Sequence, residues 1–206
     1  MPKMLIADDH YIVRTGLTFL LKSMFVQVEI DECRDGHGVW EKIQTDDYDL
    51  LILDISMPST DLFTLIRKIL AVRPKQKMLI LTMSSEMIFA KKYLQLGVRG
   101  FINKEAPPAE ITMAITNVLN NRRYISSRVR DTLTLEMLDS PAKSLFDTLS
   151  ERELEIMNYL IDGKNVSEIA KMLAIHISTV STHKANILQK LGVPNVIELS
   201  KMVQMY

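Results

Sequence analysis

Three aspartates, a threonine and a lysine stand at the ends of apolar runs in the first half of the chain. Asp8 and Asp9 follow "MLIA", Asp54 follows "LLIL", Thr82 follows "MLIL" and Lys104 follows "GFIN". Carboxylates brought together repel one another unless a cation joins them, and a hard oxygen set suits Mg2+. With such a cation bound, one carboxylate can attack a phosphoryl group and form an acyl phosphate. A hydroxyl and an ammonium beside it can hold the new phosphate oxygens, the lysine as a point charge. Each residue alone is ordinary, since an aspartate at a strand end is usually a turn or helix-cap residue. The chemistry rests on their joint order at successive strand ends.

That order needs a scaffold. Apolar runs at 4–7, 26–30, 50–54, 78–82 and 100–103 read as strands. Between them, apolar residues recur at helical spacing: Ile12, Val13, Leu17, Leu20, Leu21 and Met24, then Val39, Trp40 and Ile43, then Leu62, Leu65, Ile66, Ile69 and Leu70. Further helices are predicted over about 86–95 and 108–121. Alternating strands and helices imply an α/β fold of flavodoxin-like type, a doubly wound five-stranded parallel sheet covered on both faces. Ligands of such sheets bind beyond the carboxyl ends of the strands, where Asp8, Asp9, Asp54, Thr82 and Lys104 fall.

Residues 124–147 break the rhythm and read as a linker, with a helical candidate at about 127–138. From Thr148 the pattern is helical throughout. Ser150 with Glu153 forms a capping box for a helix ending at Gly163. A second helix is predicted over about 167–173. Ser178 is expected to cap a third that ends at Gly192, and Asn195 with Glu198 to open a fourth. The chain thus divides into 1–123, a linker at 124–147, and a small four-helix bundle at 148–206.

Composition removes several classes. Seven glycines and no GxGxxG or GxxxxGK[ST] run argue against a glycine-built phosphate cradle. The single cysteine, Cys33, excludes an intramolecular disulfide and a CxxC metal knuckle. No apolar run approaches the roughly 18 residues of a membrane span, and no signal peptide opens the sequence, so the expected compartment is the cytoplasm. Basic and acidic residues balance at 25 each, so overall charge gives no hint of nucleic acid.

Residues 3–122 resemble the receiver domain of bacterial two-component response regulators, through "IADDH", "LLILDISMP", "LILTMS" and "GFINKEAP". The resemblance implies that Asp54 accepts a phosphoryl group, and that Asp8, Asp9 and Asp54, with the Ser56 carbonyl, hold Mg2+. It implies that Thr82 and Phe101 form a switch pair, with Phe101 turning inward, and that Lys104 contacts the phosphate. Leu62, Met83 and Asn103 depart from the residues usual in that family.

Residues 149–193 resemble the LuxR-type helix-turn-helix, through the capping box, Gly163, "EIA", "STV" and "KLGV". Receiver plus this bundle is the NarL/FixJ architecture. On a helical wheel for 178–191, Val180, Ile187 and Leu191 face the core, with Thr182, Ala185, Asn186 and Gln189 opposite. The resemblance makes 181, 182 and 185 base-facing, so the candidate DNA contacts are Thr179, Ser181, Thr182, Lys184, Ala185, Asn186 and Lys190. Residues 148–206 carry six basic and six acidic side chains, yet 169–197 hold Lys171, Lys184 and Lys190 with no acid. Val196, Leu199, Met202 and Val203 form an apolar stripe that the resemblance assigns partly to pairing of two copies.

The resulting expectation is a transcription regulator that a sensor histidine kinase phosphorylates with Mg2+ present, and that dimerises and binds paired half-sites in double-stranded DNA. Beyond self-phosphotransfer and autodephosphorylation, no enzymatic activity is expected. Two alternatives stay open: a regulator of the same architecture acting without phosphorylation, and a phosphatase with Asp54 as nucleophile. Position 56 is serine, where aspartate-based phosphatases usually carry a second acid.

Overall fold

The computed structural model describes residues 1–127, 129–131 and 144–205. Five parallel strands form one sheet in the order β2-β1-β3-β4-β5. They are β1 (Lys3–Ala7), β2 (Glu29–Cys33), β3 (Leu50–Leu53), β4 (Met78–Thr82) and β5 (Gly100–Asn103). The helices of this unit are α1 (Tyr11–Met24), α2 (Gly36–Thr45), α3 (Leu62–Val72), α4 (Glu86–Leu96) and α5 (Pro108–Leu119). All of β3 and β4, and β1 after Lys3, is buried, as expected of strands covered on both faces. Met4, Ile6, Leu50, Ile52, Leu79 and Leu81 pack with Leu17 and Leu21 of α1 and Ile115 and Val118 of α5. Their alternate neighbours Leu5, Leu51, Leu53 and Ile80 are equally buried and point to the opposite face.

β1 pairs with β2 on one side and β3 on the other, so the chain leaves β1 toward one edge and later crosses to the other. This is the topological switch point, and the crevice above it is where ligands of such sheets bind.

Two boundaries differ from the sequence reading. β2 lies at 29–33 rather than 26–30, because its register is set by pairing with β1, Lys3 opposite Glu29 through Ala7 opposite Cys33. Val26, which suggested the earlier start, is fully exposed. Tyr124, expected to open the linker, belongs to the sheet unit. Its backbone pairs with Arg99 and Phe101, and its hydroxyl donates to Glu110 at 2.7 Å. This first compact unit ends at Ser126. Ser127 and 129–131 are helical, and the rest of the helix expected over 127–138 lies outside the described residues.

The second unit holds a 3₁₀ turn (Leu145–Thr148) followed by α6 (Glu151–Ile161), α7 (Val166–Met172), α8 (Ile177–Leu191) and α9 (Val196–Gln204). The turn extends the bundle ahead of the expected start at 148: Phe146 is buried, and the turn packs on α8. Ser150 and Glu153 form the expected capping box, and Asn165 with Glu168 forms another at α7. Asn195 accepts from the Glu198 N–H at the start of α9. α8 ends on Gly192 at φ +67, a left-handed conformation that glycine adopts without steric cost. Its start is not capped by Ser178. The helix begins at Ile177, with the His176 carbonyl accepting from the Thr179 and Val180 N–H groups. The turn between α7 and α8 instead passes through Ala174 at φ +50.

Candidate acidic centre and nucleic-acid interface

The strand ladder continues one step past each strand end and thereby fixes the polar residues there. The Asp8 N–H donates to the Cys33 carbonyl, Asp54 N–H to Ala7 and Lys104 N–H to Thr82. Asp8 and Asp54 are each 2% exposed. Between them lies the Lys104 ammonium, 2.6 Å from Asp8 Oδ2 and 2.9 Å from Asp54 Oδ2. Asp54 Oδ1 accepts from the Ile55 N–H at 2.8 Å. Burial lifts the Asp54 carboxyl above the ordinary carboxylate range, against the pull of Lys104, with the Asp8 charge adding to the rise and the Thr82 hydroxyl opposing it. Burial opposes the charge on Lys104, but Asp54 and Asp8 outweigh it and hold its pKa above the usual lysine value.

Oxygens of Asp8, Asp9 and Asp54 and a ring nitrogen of His10 lie within 4.8 Å of one another. Asp9 Oδ1 is buried and accepts no hydrogen bond. A compact carboxylate oxygen set of this kind, with Asp9 Oδ1 facing the exposed His10 ring at 2.8 Å, fits a divalent cation. Ser56 lies two residues beyond Asp54 and is half-buried.

Thr82 is fully buried, and its hydroxyl accepts from the Ser84 N–H at 3.2 Å. Phe101 differs from expectation. It is 1% exposed, with its ring centroid 6.1 Å from that of Tyr93, which stacks on Phe63 at 4.4 Å. The inward position expected to follow phosphorylation is thus already taken. Met83 is largely exposed, whereas Leu62 is buried behind the Asp61 cap of α3.

Two residues near the centre escaped the sequence reading. Arg14 is buried, donating to the Asp8 carbonyl at 2.8 Å and to Glu32 at 2.9 Å. Its signal was a cation in the stripe Arg14, Leu17, Leu21, the buried face of α1. His10 donates its backbone N–H to Asp8 Oδ1 at 2.9 Å.

In the bundle, Val180, Ile187 and Leu191 of α8 are buried, as the wheel requires. Thr179, Ser181, Thr182 and Ala185 are exposed, and Lys184 and Asn186 half-exposed. Lys190 carries a contact that the sequence reading did not include. Its ammonium sits 2.7 Å from the buried Glu153 carboxylate and 3.3 Å from the Thr148 carbonyl, an ion pair within the bundle made by a side chain that stays partly exposed. Leu199 is removed from any pairing surface, because it is completely buried. Val196, Met202 and Val203 are half-exposed, while Ile197 and Met205, not anticipated, stand out in solvent.

No helix among the described residues is long and apolar enough to cross a membrane. Residues 4–116 match the response regulator receiver domain family, and residues 147–203 the luxR family of bacterial regulatory proteins. The oxygen regulatory protein NreC of Staphylococcus carnosus is 33% identical over 204 residues, covering 96% of this chain and 94% of that protein. The response regulator UvrY of Escherichia coli K12 is 30% identical over 203 residues, covering 98% and 93%. RcsB from Salmonella enterica serovar Typhimurium, solved bound to promoter P1flhDC with the phosphomimetic BeF3−, superposes with a TM-score of 0.77 at 28% identity, covering 100% of this chain and 99% of that one. With a receiver domain followed by a luxR-family helix-turn-helix domain, the chain belongs to the bacterial response regulators of NarL/FixJ type.

Proposed function

We propose that this protein is a cytoplasmic transcription regulator switched by phosphorylation of Asp54. The observation that carries the reading is Lys104 bridging two buried carboxylates, Asp8 and Asp54, at 2.6 and 2.9 Å beside the Thr82 hydroxyl. Asp8, Asp9 and Asp54, with the Ser56 carbonyl, would hold Mg2+. When bound, the cation neutralises charge on the phosphoryl oxygens as it passes to the protein. An Asp54 carboxylate oxygen attacks phosphorus, the bond to the donor's histidine nitrogen breaks, and an acyl phosphate results. The donor is a sensor histidine kinase, or a small acyl phosphate in its place. Lys104 then trades one carboxylate partner for phosphate oxygens, and Thr82 turns its hydroxyl toward them. Because Phe101 is already inward, Thr82 is the member of the pair left to move.

The output is DNA binding by the bundle. The exposed Thr179, Ser181, Thr182 and Ala185 of α8 would enter the major groove of double-stranded DNA, with Lys184 reaching a phosphate. These are small side chains without a guanine-reading arginine. One copy therefore binds weakly, and a homodimer on paired half-sites gains through effective concentration. Beyond its own phosphotransfer and autodephosphorylation, the protein turns over no substrate.

Intact mass after incubation with acetyl phosphate and Mg2+ tests the acceptor. Wild type is expected to gain one phosphoryl group and Asp54→Ala none. Equal labelling of both proteins would refute the assignment.

A further inference from the structure

At the amino ends of β4 and β5, away from Asp54, a cavity of about 340 Å3 opens beside the sheet. The charged residues lining it are Lys75, Arg99 and Arg123, with no acid among them. Backbone structure brings each one there. Lys75 lies in the turn between α3 and β4. The Arg99 N–H donates to the Met78 carbonyl, and the Arg99 carbonyl accepts from the Tyr124 N–H, both at 2.9 Å, so Arg123 arrives at the same end. Leu70, Pro74 and Leu96 supply an apolar wall. Basic side chains suit this end, because α3 and α4 finish here and helix carboxyl termini attract cations. That role accounts for part of the set. Arg73 and Lys77 donate to the Ile43 and Leu119 carbonyls, and one Arg99 N–H reaches the Asn121 carbonyl at 3.3 Å. Lys75 and Arg123 are left over: among the described residues, neither donates to a carbonyl nor pairs with a carboxylate. The half-buried Arg99 guanidinium has no carboxylate partner either. Elsewhere in the same unit Lys3, Arg14, Lys42 and Lys104 each face an acid. The segments that build this end, 62–85, 87–104 and 111–130, contain no aspartate or glutamate.

We propose that this cavity binds a small phosphate-bearing molecule, a phosphate monoester or diphosphate, at the end of the sheet opposite Asp54. Cations lining one concavity repel one another, and a single dianion relieves that repulsion. A phosphate monoester carries about two negative charges at neutral pH. The Arg99 guanidinium has N–H groups to spare, in a fork that matches phosphate oxygens. Lys75 and Arg123 stand exposed at the rim, with the reach to close over the ligand. Leu70, Pro74 and Leu96 take its carbon skeleton. A cavity of this size holds a compact ligand, whereas a nucleic-acid duplex would touch only the rim.

Backbone amide shifts of the isotope-labelled full chain, followed while pyrophosphate, phenyl phosphate or phenol is added, test the site. EDTA in the buffer keeps cations out of the acidic centre. Saturable shifts at Gly97, Arg99 and Arg123 are expected with either phosphate, and none with phenol. Arg99→Gln should raise the Kd about tenfold or more, and the exposed Lys75→Gln and Arg123→Gln about threefold each. Those two exposed substitutions keep the test decisive should Arg99→Gln fail to fold. Lys22→Gln, which removes an exposed cation outside the cavity, should leave the Kd unchanged. Shifts that never saturate, equal shifts with phenol, or an affinity unmoved by the three cavity substitutions would overturn the proposal. So would a DNA duplex of random sequence that moves these amides while neither phosphate does, since the end would then be a nucleic-acid contact.

Discussion

Lys104 separates two carboxylates that would otherwise face each other in a desolvated pocket. Substituting Lys104→Met leaves Asp8 and Asp54 buried without their cation, and removing one partner of a buried pair costs about 3 kcal/mol. That loss should appear in the urea midpoint of the variant in metal-free buffer, and saturating Mg2+ should recover most of it by binding the folded state. A variant as stable as wild type without metal would mean that the lysine contributes nothing to the pocket. Asp8, Asp9, Asp54, Thr82 and Lys104 were legible in the sequence because each closes an apolar strand, and the carboxyl end of a strand is a fixed address in this fold. His10 and Arg14 were not. One follows an aspartate pair that draws all attention to itself, and the other lies within a helix stripe read for its apolar members alone. The ion pair of Lys190 was hidden for the opposite reason: a lysine near the end of α8 looks free until the buried Glu153 opposite it is seen.

In the bundle, the start of α6 rests on one ionised group, Glu153. Glu153 accepts from the Ser150 N–H at 2.7 Å and pairs with Lys190 at 2.7 Å. Burial works against its charge, but the Lys190 and Ser150 contacts prevail and keep its carboxyl below the ordinary glutamate range. A depressed folded pKa contributes stability above the unfolded value, about 4.3, that is lost as pH falls through the folded value. Glu153→Gln is therefore expected to lower stability by about 1 kcal/mol at neutral pH, with the gap to wild type closing below about pH 4. Thermal midpoints of both proteins across pH would check this, and a gap independent of pH would disprove the ionic part. The capping box at Ser150 was legible because its residues are local. The start of α8 was not, since the left-handed Ala174 ahead of it decides where the helix begins, and alanine gives no sign of that conformation. β2 was shifted for a related reason: strand pairing with β1 sets its limits, and an edge strand lacks the continuous apolar run of its buried neighbours.

For the molecule as a whole, charge balance sets what DNA can feel. With Lys190 tied to Glu153, Lys171 and Lys184 are the lysines left to the acid-free stretch of 169–197. Each phosphate neutralised contributes about −0.9 to the slope of log K against log salt, so a bound dimer should show a slope near −4. Filter or anisotropy titrations over a salt series would measure it. Lys190→Gln should destabilise the bundle yet leave the slope unchanged, and a slope smaller by two units in that variant would return Lys190 to the DNA face.

On the proposed function, a protein that pairs with its own copy through one surface must refuse the others. Among the described residues, β2 ends the sheet with one side unpaired by any strand, and its sequence is EIDEC. Lys3 gathers Glu29, Asp31 and Asp46 around the β1 partner, while the Tyr48 hydroxyl, with Lys42 and Lys3, holds the Asp31 carboxyl below the ordinary carboxylate range. A second chain docking its own β2 there would bring like charges opposite one another and strip them of water, the usual defence of a sheet edge against runaway strand addition. The acidic edge would thus disfavour edge-to-edge addition, leaving the proposed regulator free to assemble in pairs rather than in fibres.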